Sequence, residues 1–127
     1  IPAKEIVKVL PFWMRPFARL QFRRLRRSCG FSEAYNLPAA EHIKPALGPV
    51  PLMLVGGVRR LSQMAKLVAE GYTDLISMSR PFIREPYLVK RFKEGKAEEA
   101  ACISCNKCFA AVANNLPVRC YVNGLPI

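Results

Sequence analysis

The middle of the chain contains two contrasting hydrophobic patterns. Residues 52–55 are a short continuous apolar run followed by Gly56 and Gly57. A run without alternation is typical of a strand buried on both faces, as in parallel sheets covered by helices. The segment that follows has the spacing of an amphipathic helix that ends at Gly71. Its apolar face comprises Leu61, Met64, Leu67 and Val68.

Further elements flank this strand and helix. The stretch "DLISMSR" predicts a second strand, and "EPYLVKRFKEGK" predicts a helix from Pro86 to Gly95. Upstream, a helix is predicted to begin through Asn36 with Pro38 in its first turn, and to end at 45–48,. The order is helix, strand, helix, strand, helix. This order predicts an α/β fold containing a parallel βαβ unit with a right-handed crossover.

The first thirty residues have a different character. Proline interrupts helical hydrogen bonding, so this region predicts one or two helical pieces broken at Pro11 and Pro16,. From Pro16, phenylalanines and leucines alternate with arginines up to Ser28. This basic amphipathic segment fits a surface helix lying on its own protein, while docking to lipid, to a partner or to nucleic acid are the alternatives.

Charge and hydropathy limit the functional classes. The formal net charge is +11, but seven of the twenty lysines and arginines lie between Lys8 and Arg27. The excess is therefore local, and we expect no nucleic-acid partner. There is neither an apolar run of about 18 residues nor a cleavable signal at the start. We expect a cytoplasmic protein that does not associate with membranes.

Two loops that follow the predicted strands are candidates for binding an anion. In βα architectures ligands bind at the C-terminal ends of strands, where Gly56 and Gly57 would let backbone amides approach a phosphate. Ser79 and Arg80 would add amides, a hydroxyl and a bidentate cation,. The alternative is a tight turn without a ligand and a surface arginine. His42, the only histidine, has no nucleophile or carboxylate pair beside it, so no catalytic residue is predicted,.

Four of the five cysteines are concentrated near the C-terminal end of the chain. Cys102, Cys105, Cys108 and Cys120 have the spacing C-x2-C-x2-C-x11-C. Three thiolates in one loop with a distant fourth favour an iron–sulfur cluster. Zinc more often uses two separated C-x2-C knuckles or histidine, and disulfides require an oxidising compartment. Zinc and free or bridged thiols stay open as alternatives.

Several stretches in this order resemble one enzyme family. They are "EAYNLPAAEHIKPAL", "VGGVRRLSQMAKLVAEGYTDLISMSRPFIREPYLVKRFKEGK" and "CISCNKC". Together they resemble the final third of the flavin barrel of old yellow enzyme-related oxidoreductases. The most similar branch is the iron–sulfur one that includes 2,4-dienoyl-CoA reductase and trimethylamine dehydrogenase. The resemblance extends over about residues 31–123.

The resemblance implies a (β/α)8 barrel of which this chain supplies the last two βα units. Residues 1–30 would be a basic helical extension after strand six, 31–100 the last βα units, and 101–127 the cluster-binding segment. Gly56, Gly57, Ser79 and Arg80 would hold the phosphate of FMN, although the family usually has glycine at position 79. Cys102, Cys105, Cys108 and Cys120 would hold a 4Fe-4S cluster, and Gly124 stands where a proline is common.

The same resemblance implies an FMN-dependent oxidoreductase with NAD(P)H as electron donor. It would reduce activated alkenes or oxidise a small-molecule substrate. The residues that would protonate substrate belong to strands one to six, so we expect a fragment that is inactive alone. It would need the missing N-terminal barrel portion as its partner, or form homo-oligomers. The alternative function is a zinc-binding interaction module with a basic partner-docking helix.

Overall fold

The computed structural model describes residues 2–28 and 30–126 of a mixed α/β chain. The chain divides into two compact units. One contains residues 31–102, and the other combines residues 1–30 with residues 103–127. We refer to them as the sheet unit and the cysteine unit. In the part of the chain that the structure describes, no helix is both long and apolar enough to cross a membrane.

The sheet unit is built around two short parallel strands. Strand β1 spans Met53–Val55 and strand β2 spans Leu75–Ser77, with Leu54 paired to Ile76. Helix α4, Leu61–Ala69, connects them. After α4, Gly71 has a φ of +75°, the left-handed conformation that ends helices,. The predicted parallel βαβ arrangement is confirmed.

Short helices surround this sheet. Their bounds are Leu37–Ile43 for α3, Arg80–Arg84 for α5 and Leu88–Lys93 for α6, with a 3-10 turn over Lys44–Leu47 after α3. Helix α3 begins after Asn36 as predicted. The predicted helix from Pro86 begins two residues late, because Pro86 and Tyr87 lie in the turn after α5. Helix α5 was not predicted from the sequence.

One face of the sheet packs against the helices, and the other is exposed. The buried core consists of Ala34, Ala40, Leu54, Val58, Met64, Leu67, Leu88, Phe92 and Ala100. On the opposite face, Met53, Val55 and Leu75 are 55%, 47% and 49% exposed. The prediction that β1 is buried on both faces is therefore wrong. The buried face of α4 is also narrower than predicted, since Leu61 and Val68 are exposed.

Two polar side chains join the starts of the strands. Thr73 is only 1% exposed, and its hydroxyl accepts the Leu54 amide at 3.1 Å while lying 2.9 Å from the Leu52 and Leu75 carbonyls. Asp74 accepts the Leu52 amide at 2.6 Å and pairs with Lys44. The Lys44 hydrogen bond, followed by the Leu52 amide, lowers the pKa of Asp74. The two side chains therefore fix where the strands begin.

The cysteine unit is helical. Helix α1 spans Ala3–Val7, a 3-10 turn spans Phe12–Met14, helix α2 spans Arg15–Ser28, and helix α7 spans Lys107–Ala113. The predicted break at Pro11 is confirmed. The predicted break at Pro16 lies one residue from the boundary between the 3-10 turn and α2, and Pro16 occupies the first turn of α2, where a proline removes no required hydrogen bond,.

Helix α7 packs in the small core of the cysteine unit. Ala110 and Ala111 are fully buried, and Val7 of α1 is 2% exposed. The side-chain amide of Asn114 donates to the Glu5 carbonyl at 3.2 Å, which ties the end of α7 to α1. A loop was predicted around the cysteines, and this prediction is corrected for Lys107–Ala113, which form helix α7.

Candidate functional site

The two predicted phosphate-binding loops emerge side by side from the sheet. Val55 and Ser77 are paired at the C-terminal ends of β1 and β2. Gly56 and Gly57 follow the first strand directly, and residues 78–80 follow the second. The structure therefore brings together, at one edge, the loops that the sequence analysis assigned to an anion.

Backbone amides at this edge have unused hydrogen-bonding capacity. Within the described ranges, the amides of Gly57 and Ser79 donate no hydrogen bond. Arg80 is the first residue of α5 and is partly exposed. Two unpaired amides in loops that also contain an arginine are a suitable donor set for a phosphate.

The glycine turn is also packed against the segment that precedes α3. The Tyr35 amide donates to the Gly56 carbonyl at 3.1 Å, and the Asn36 side-chain amide donates to the Val55 carbonyl at 2.6 Å. Gly57 has a φ of +75°, and a Cβ there would lie 2.9 Å from the Ser32 carbonyl oxygen. Steric contact within the chain thus requires glycine at position 57, whether or not a ligand binds.

Arg59 connects the end of this turn to the first cysteine of the motif. Its guanidinium donates to the Cys102 carbonyl at 3.0 Å and lies 4.7 Å from the centre of the Phe31 ring. Its Nε lies 3.8 Å from carboxylate oxygens of Glu33 and Glu99. Arg59 therefore holds the Cys102 backbone to the sheet unit. This role of Arg59 was not predicted from the sequence.

Two carboxylates support this arrangement. Glu85 accepts a hydrogen bond at 2.6 Å from the amide of Ala101, the residue before Cys102. Glu85 also forms an ion pair with Arg91. Glu33 accepts a hydrogen bond from Arg60 Nε at 3.1 Å, and this hydrogen bond raises the pKa of the Arg60 guanidinium. Ion pairs of Glu85 and Glu33 thus support the segments that lie next to Cys102 and Arg59 in the chain.

The other three motif cysteines belong to the cysteine unit. Cys105 lies in the loop before α7, Cys108 is the second residue of α7, and Cys120 is exposed further along. Ser104 and Asn106, on either side of Cys105, have φ values of +55° and +59°. Left-handed residues are uncommon outside glycine, and combinations of left- and right-handed residues direct backbone amides toward bound anions, including iron–sulfur clusters.

Side-chain contacts attach the Cys120 segment to α7. Lys107 Nζ donates to the Val122 carbonyl at 3.0 Å. Tyr121 is buried, and the Arg119 guanidinium lies 5.0 Å from its ring centre. These contacts keep the fourth cysteine in the same unit as the second and third.

The motif cysteines are not engaged with one another and are available as ligands. The four motif cysteines are free thiols. Among the described residues, no three or more cysteine, histidine or acidic side chains are grouped to hold one ion. The amides of Ile103, Ser104 and Cys105 donate no hydrogen bond within the described part of the chain, so they are available to a bound anionic group,. Cys29 lies outside the described residues.

Comparison with known proteins decides the family. The family model for the NADH:flavin oxidoreductase / NADH oxidase family matches residues 18–99, more than half of the chain. The chain belongs to this family. The resemblance to old yellow enzyme-related oxidoreductases inferred from the sequence is thereby confirmed.

Curated relatives agree with the family match. The chain is 34% identical over 92 residues to a 4,4'-dithiodibutanoate disulfide reductase of Rhodococcus erythropolis, covering 72% of this chain and 22% of the relative. It is 36% identical to an NADH oxidase of Thermoanaerobacter brockii, covering 73% and 15%. It is 43% identical to the NADH-dependent flavin oxidoreductase iccE of Talaromyces variabilis, covering 46% and 14%. No solved structure matches.

Within this family member, the structure places the predicted site residues in two groups. Gly56, Gly57, Ser79 and Arg80 lie together in the sheet unit. Cys102 belongs to the sheet unit, whereas the other three cysteines belong to the cysteine unit. Asn36, Arg59 and Glu85 were missed because their roles depend on contacts with distant residues. A signal for Arg59 was its position two residues after Gly57.

Proposed function

We propose that this chain provides the phosphate-binding loops and cluster ligands of an FMN-dependent, iron–sulfur oxidoreductase of the NADH:flavin oxidoreductase type. The observation that carries the proposal is the pairing of Val55 with Ser77, which brings the Gly57 and Ser79 amides to one sheet edge beside Arg80. Both loops fall within the residues matched by the family model.

The proposed architecture is that of the last two βα units of a (β/α)8 barrel. Strands β1 and β2 are parallel and joined by a helix, as such units require,. The exposed face formed by Met53, Val55 and Leu75 would line the barrel interior. In the whole protein, side chains from the other barrel strands would cover this face.

The residues present fit the phosphate of FMN. The Gly57 and Ser79 amides would donate hydrogen bonds to phosphate oxygens, and Arg80 would neutralise their charge. Ser79 replaces the glycine usual in the family, but its amide is unpaired within the described residues and its side chain is exposed. When bound, FMN would supply hydride-transfer chemistry.

The cysteines fit a 4Fe-4S cluster. Cys102, Cys105, Cys108 and Cys120 would be its ligands, and the backbone around Cys105 would direct amides toward its sulfurs. Lys107 and Arg119 place positive charge close to the motif, which would offset the charge of four thiolates,. When bound, the cluster would supply single-electron transfer.

The proposed reaction is the reduction of an activated alkene, or the oxidation of a small substrate, with NAD(P)H as electron donor. The names of two similar proteins, an NADH oxidase and an NADH-dependent flavin oxidoreductase, support the choice of donor. We assign no catalytic acid to this chain, whose share of the reaction is to hold the flavin phosphate and the cluster.

Flavin binding tests the first part of this proposal. Titration of the chain with FMN, followed by quenching of flavin fluorescence, should give a dissociation constant that rises at least about tenfold in Arg80→Gln, since a charge-assisted hydrogen bond contributes about 1.5–3 kcal/mol. The matched control is Arg84→Gln, on the same helix α5, which should bind FMN like the wild type. Equal affinities for all three proteins would contradict the phosphate assignment.

Metal content tests the second part. Anaerobic reconstitution with iron and sulfide should produce an absorption band at about 400 nm that dithionite bleaches. A colourless protein with stoichiometric zinc would instead support the zinc-binding interaction module. These two results are mutually exclusive, so the absorption spectrum discriminates between the two functions.

A further inference from the structure

A cationic groove runs between α1 and α2 in the cysteine unit. Its volume is about 610 Å³, within the range of small-molecule sites. Apart from Ala3 and Val7, every residue that lines it carries a positive charge: Lys4, Lys8, Arg15, Arg19 and Arg23. The residues of the groove belong to the cysteine unit, whereas the proposed flavin loops belong to the sheet unit.

The arginines of α2 form one stripe. Arg15, Arg19 and Arg23 are spaced four residues apart, so they lie on the same face of the helix,. Arg15 has a structural role, because it donates to the Leu10 carbonyl at 3.0 Å and to the Lys8 carbonyl at 3.2 Å. Arg19 and Arg23 have no partner among the described residues, and they are therefore available to a ligand.

The cysteine unit has too few acidic residues to balance the positive charge of the groove. Its sequence contains ten lysines and arginines and a single acidic residue, Glu5, so its formal net charge is +9 of the total +11. Glu5 does not line the groove. Five cations around one cavity repel one another, and a bound anion would remove this repulsion.

We propose that this groove binds a phosphate-bearing anion with at least two negative charges. Guanidinium groups match phosphate oxygens through paired hydrogen bonds, and lysines add point charges. The same chemistry is available from a soluble diphosphate and from the headgroup of an anionic lipid. This site goes beyond the proposed function, because neither the flavin loops nor the cysteines contribute to it.

Isothermal titration of the full chain with inorganic pyrophosphate tests the soluble source. The double variant Arg19→Gln/Arg23→Gln should bind at least about tenfold more weakly, as expected when charge-assisted hydrogen bonds are lost. The matched control Lys90→Gln/Lys93→Gln removes the same charge from α6 of the sheet unit and should leave binding unchanged. Arg80→Gln should also leave it unchanged, which separates this groove from the flavin loops.

Vesicle sedimentation tests the lipid source. The chain is mixed with phosphatidylcholine vesicles that contain or lack phosphatidylinositol phosphate. Binding only to the charged vesicles, abolished in Arg19→Gln/Arg23→Gln, would support the proposal with a lipid headgroup as ligand. Pyrophosphate binding without vesicle binding would support it with a soluble ligand. The proposal is overturned if neither probe binds, or if the α6 control weakens binding as much as the α2 variant.

Discussion

The sheet unit balances its charges internally, whereas the cysteine unit carries a large excess of cations. In the sheet unit, ten lysines and arginines accompany eight acidic residues. Several of these form ion pairs, including Lys44 with Asp74, Arg60 with Glu33 and Arg91 with Glu85. In the cysteine unit, ten cations accompany only Glu5. The excess of positive charge in the cysteine unit favours the binding of anionic groups such as phosphates.

The hydrophobic cores of the two units also differ, because the sheet unit buries larger side chains than the cysteine unit. The sheet unit buries large side chains such as Leu54, Leu88 and Phe92. The cysteine unit buries mainly Val7, two alanines of α7 and Tyr121. Alanines bury little apolar area, so hydrophobic burial stabilises the cysteine unit less. A ligand that binds only the folded state would therefore matter more to this unit than to the sheet unit.

The largest effect is expected in the sheet-unit core. Leu88 is fully buried, so Leu88→Ala should lower the free energy of unfolding by about 3 kcal/mol through lost burial and a residual cavity,. Its neighbour Val89 is exposed, and Val89→Ala should change the same quantity by less than about 0.5 kcal/mol,. Urea unfolding measures both. Similar values for the two variants would mean that α6 does not pack as described.

The cysteine unit should respond to an increase in side-chain volume. Ala110 is fully buried against its neighbours, so Ala110→Leu should destabilise this unit by about 2 kcal/mol through overpacking,. Val112→Leu, on the exposed side of α7, is the control and should be near neutral. Hydrogen exchange of the α7 amides provides the measurement. A neutral Ala110→Leu would show that the core of this unit is loosely packed.

The glycine turn offers a test of steric contact. Gly57→Ala should cost about 2 kcal/mol, because it combines a left-handed backbone with a Cβ only 2.9 Å from the Ser32 carbonyl oxygen,. Gly95 has a similar φ of +67° but nothing within 4 Å, so Gly95→Ala should cost about 1 kcal/mol,. The difference between the urea midpoints of the two variants measures the cost of the contact with the Ser32 carbonyl oxygen. Equal costs would contradict the packing of residues 31–36 on the turn.

The smallest effect concerns the Asp74 ion pair. Hydrogen bonds from Lys44 and Leu52 lower the pKa of Asp74 in the folded state. Its stabilising contribution is therefore present above the unfolded-state pKa of about 3.9 and is lost as the pH falls through the lower folded value. Asp74→Asn should reduce the urea midpoint near neutral pH, and this difference should shrink in acid. A difference that does not change with pH would argue against the ion pair.

Local patterns predicted much of the sheet unit. The apolar run before Gly56 marked β1, and the spacing that ends at Gly71 marked α4, because both signals depend on neighbouring residues. The exposed side of the sheet and the contact between Arg59 and Cys102 depend on tertiary packing, so the sequence could not show them. Helix α7, with the sequence "KCFAAVA", begins after Asn106, which is left-handed and makes no side-chain capping hydrogen bond. The start of this helix therefore could not be predicted from a capping residue.

The iron content of the chain tests whether the four motif cysteines hold a 4Fe-4S cluster. Anaerobic reconstitution should load about four irons, with acid-labile sulfide, onto the wild type and onto Cys29→Ser, which removes the one cysteine outside the motif. Cys105→Ser removes the ligand between the two left-handed residues and should lose most of this iron. The wild type and Cys29→Ser should therefore carry similar amounts of iron, and Cys105→Ser should carry much less. A wild type that binds zinc or no iron, or a Cys105→Ser variant that retains all of its iron, would contradict it.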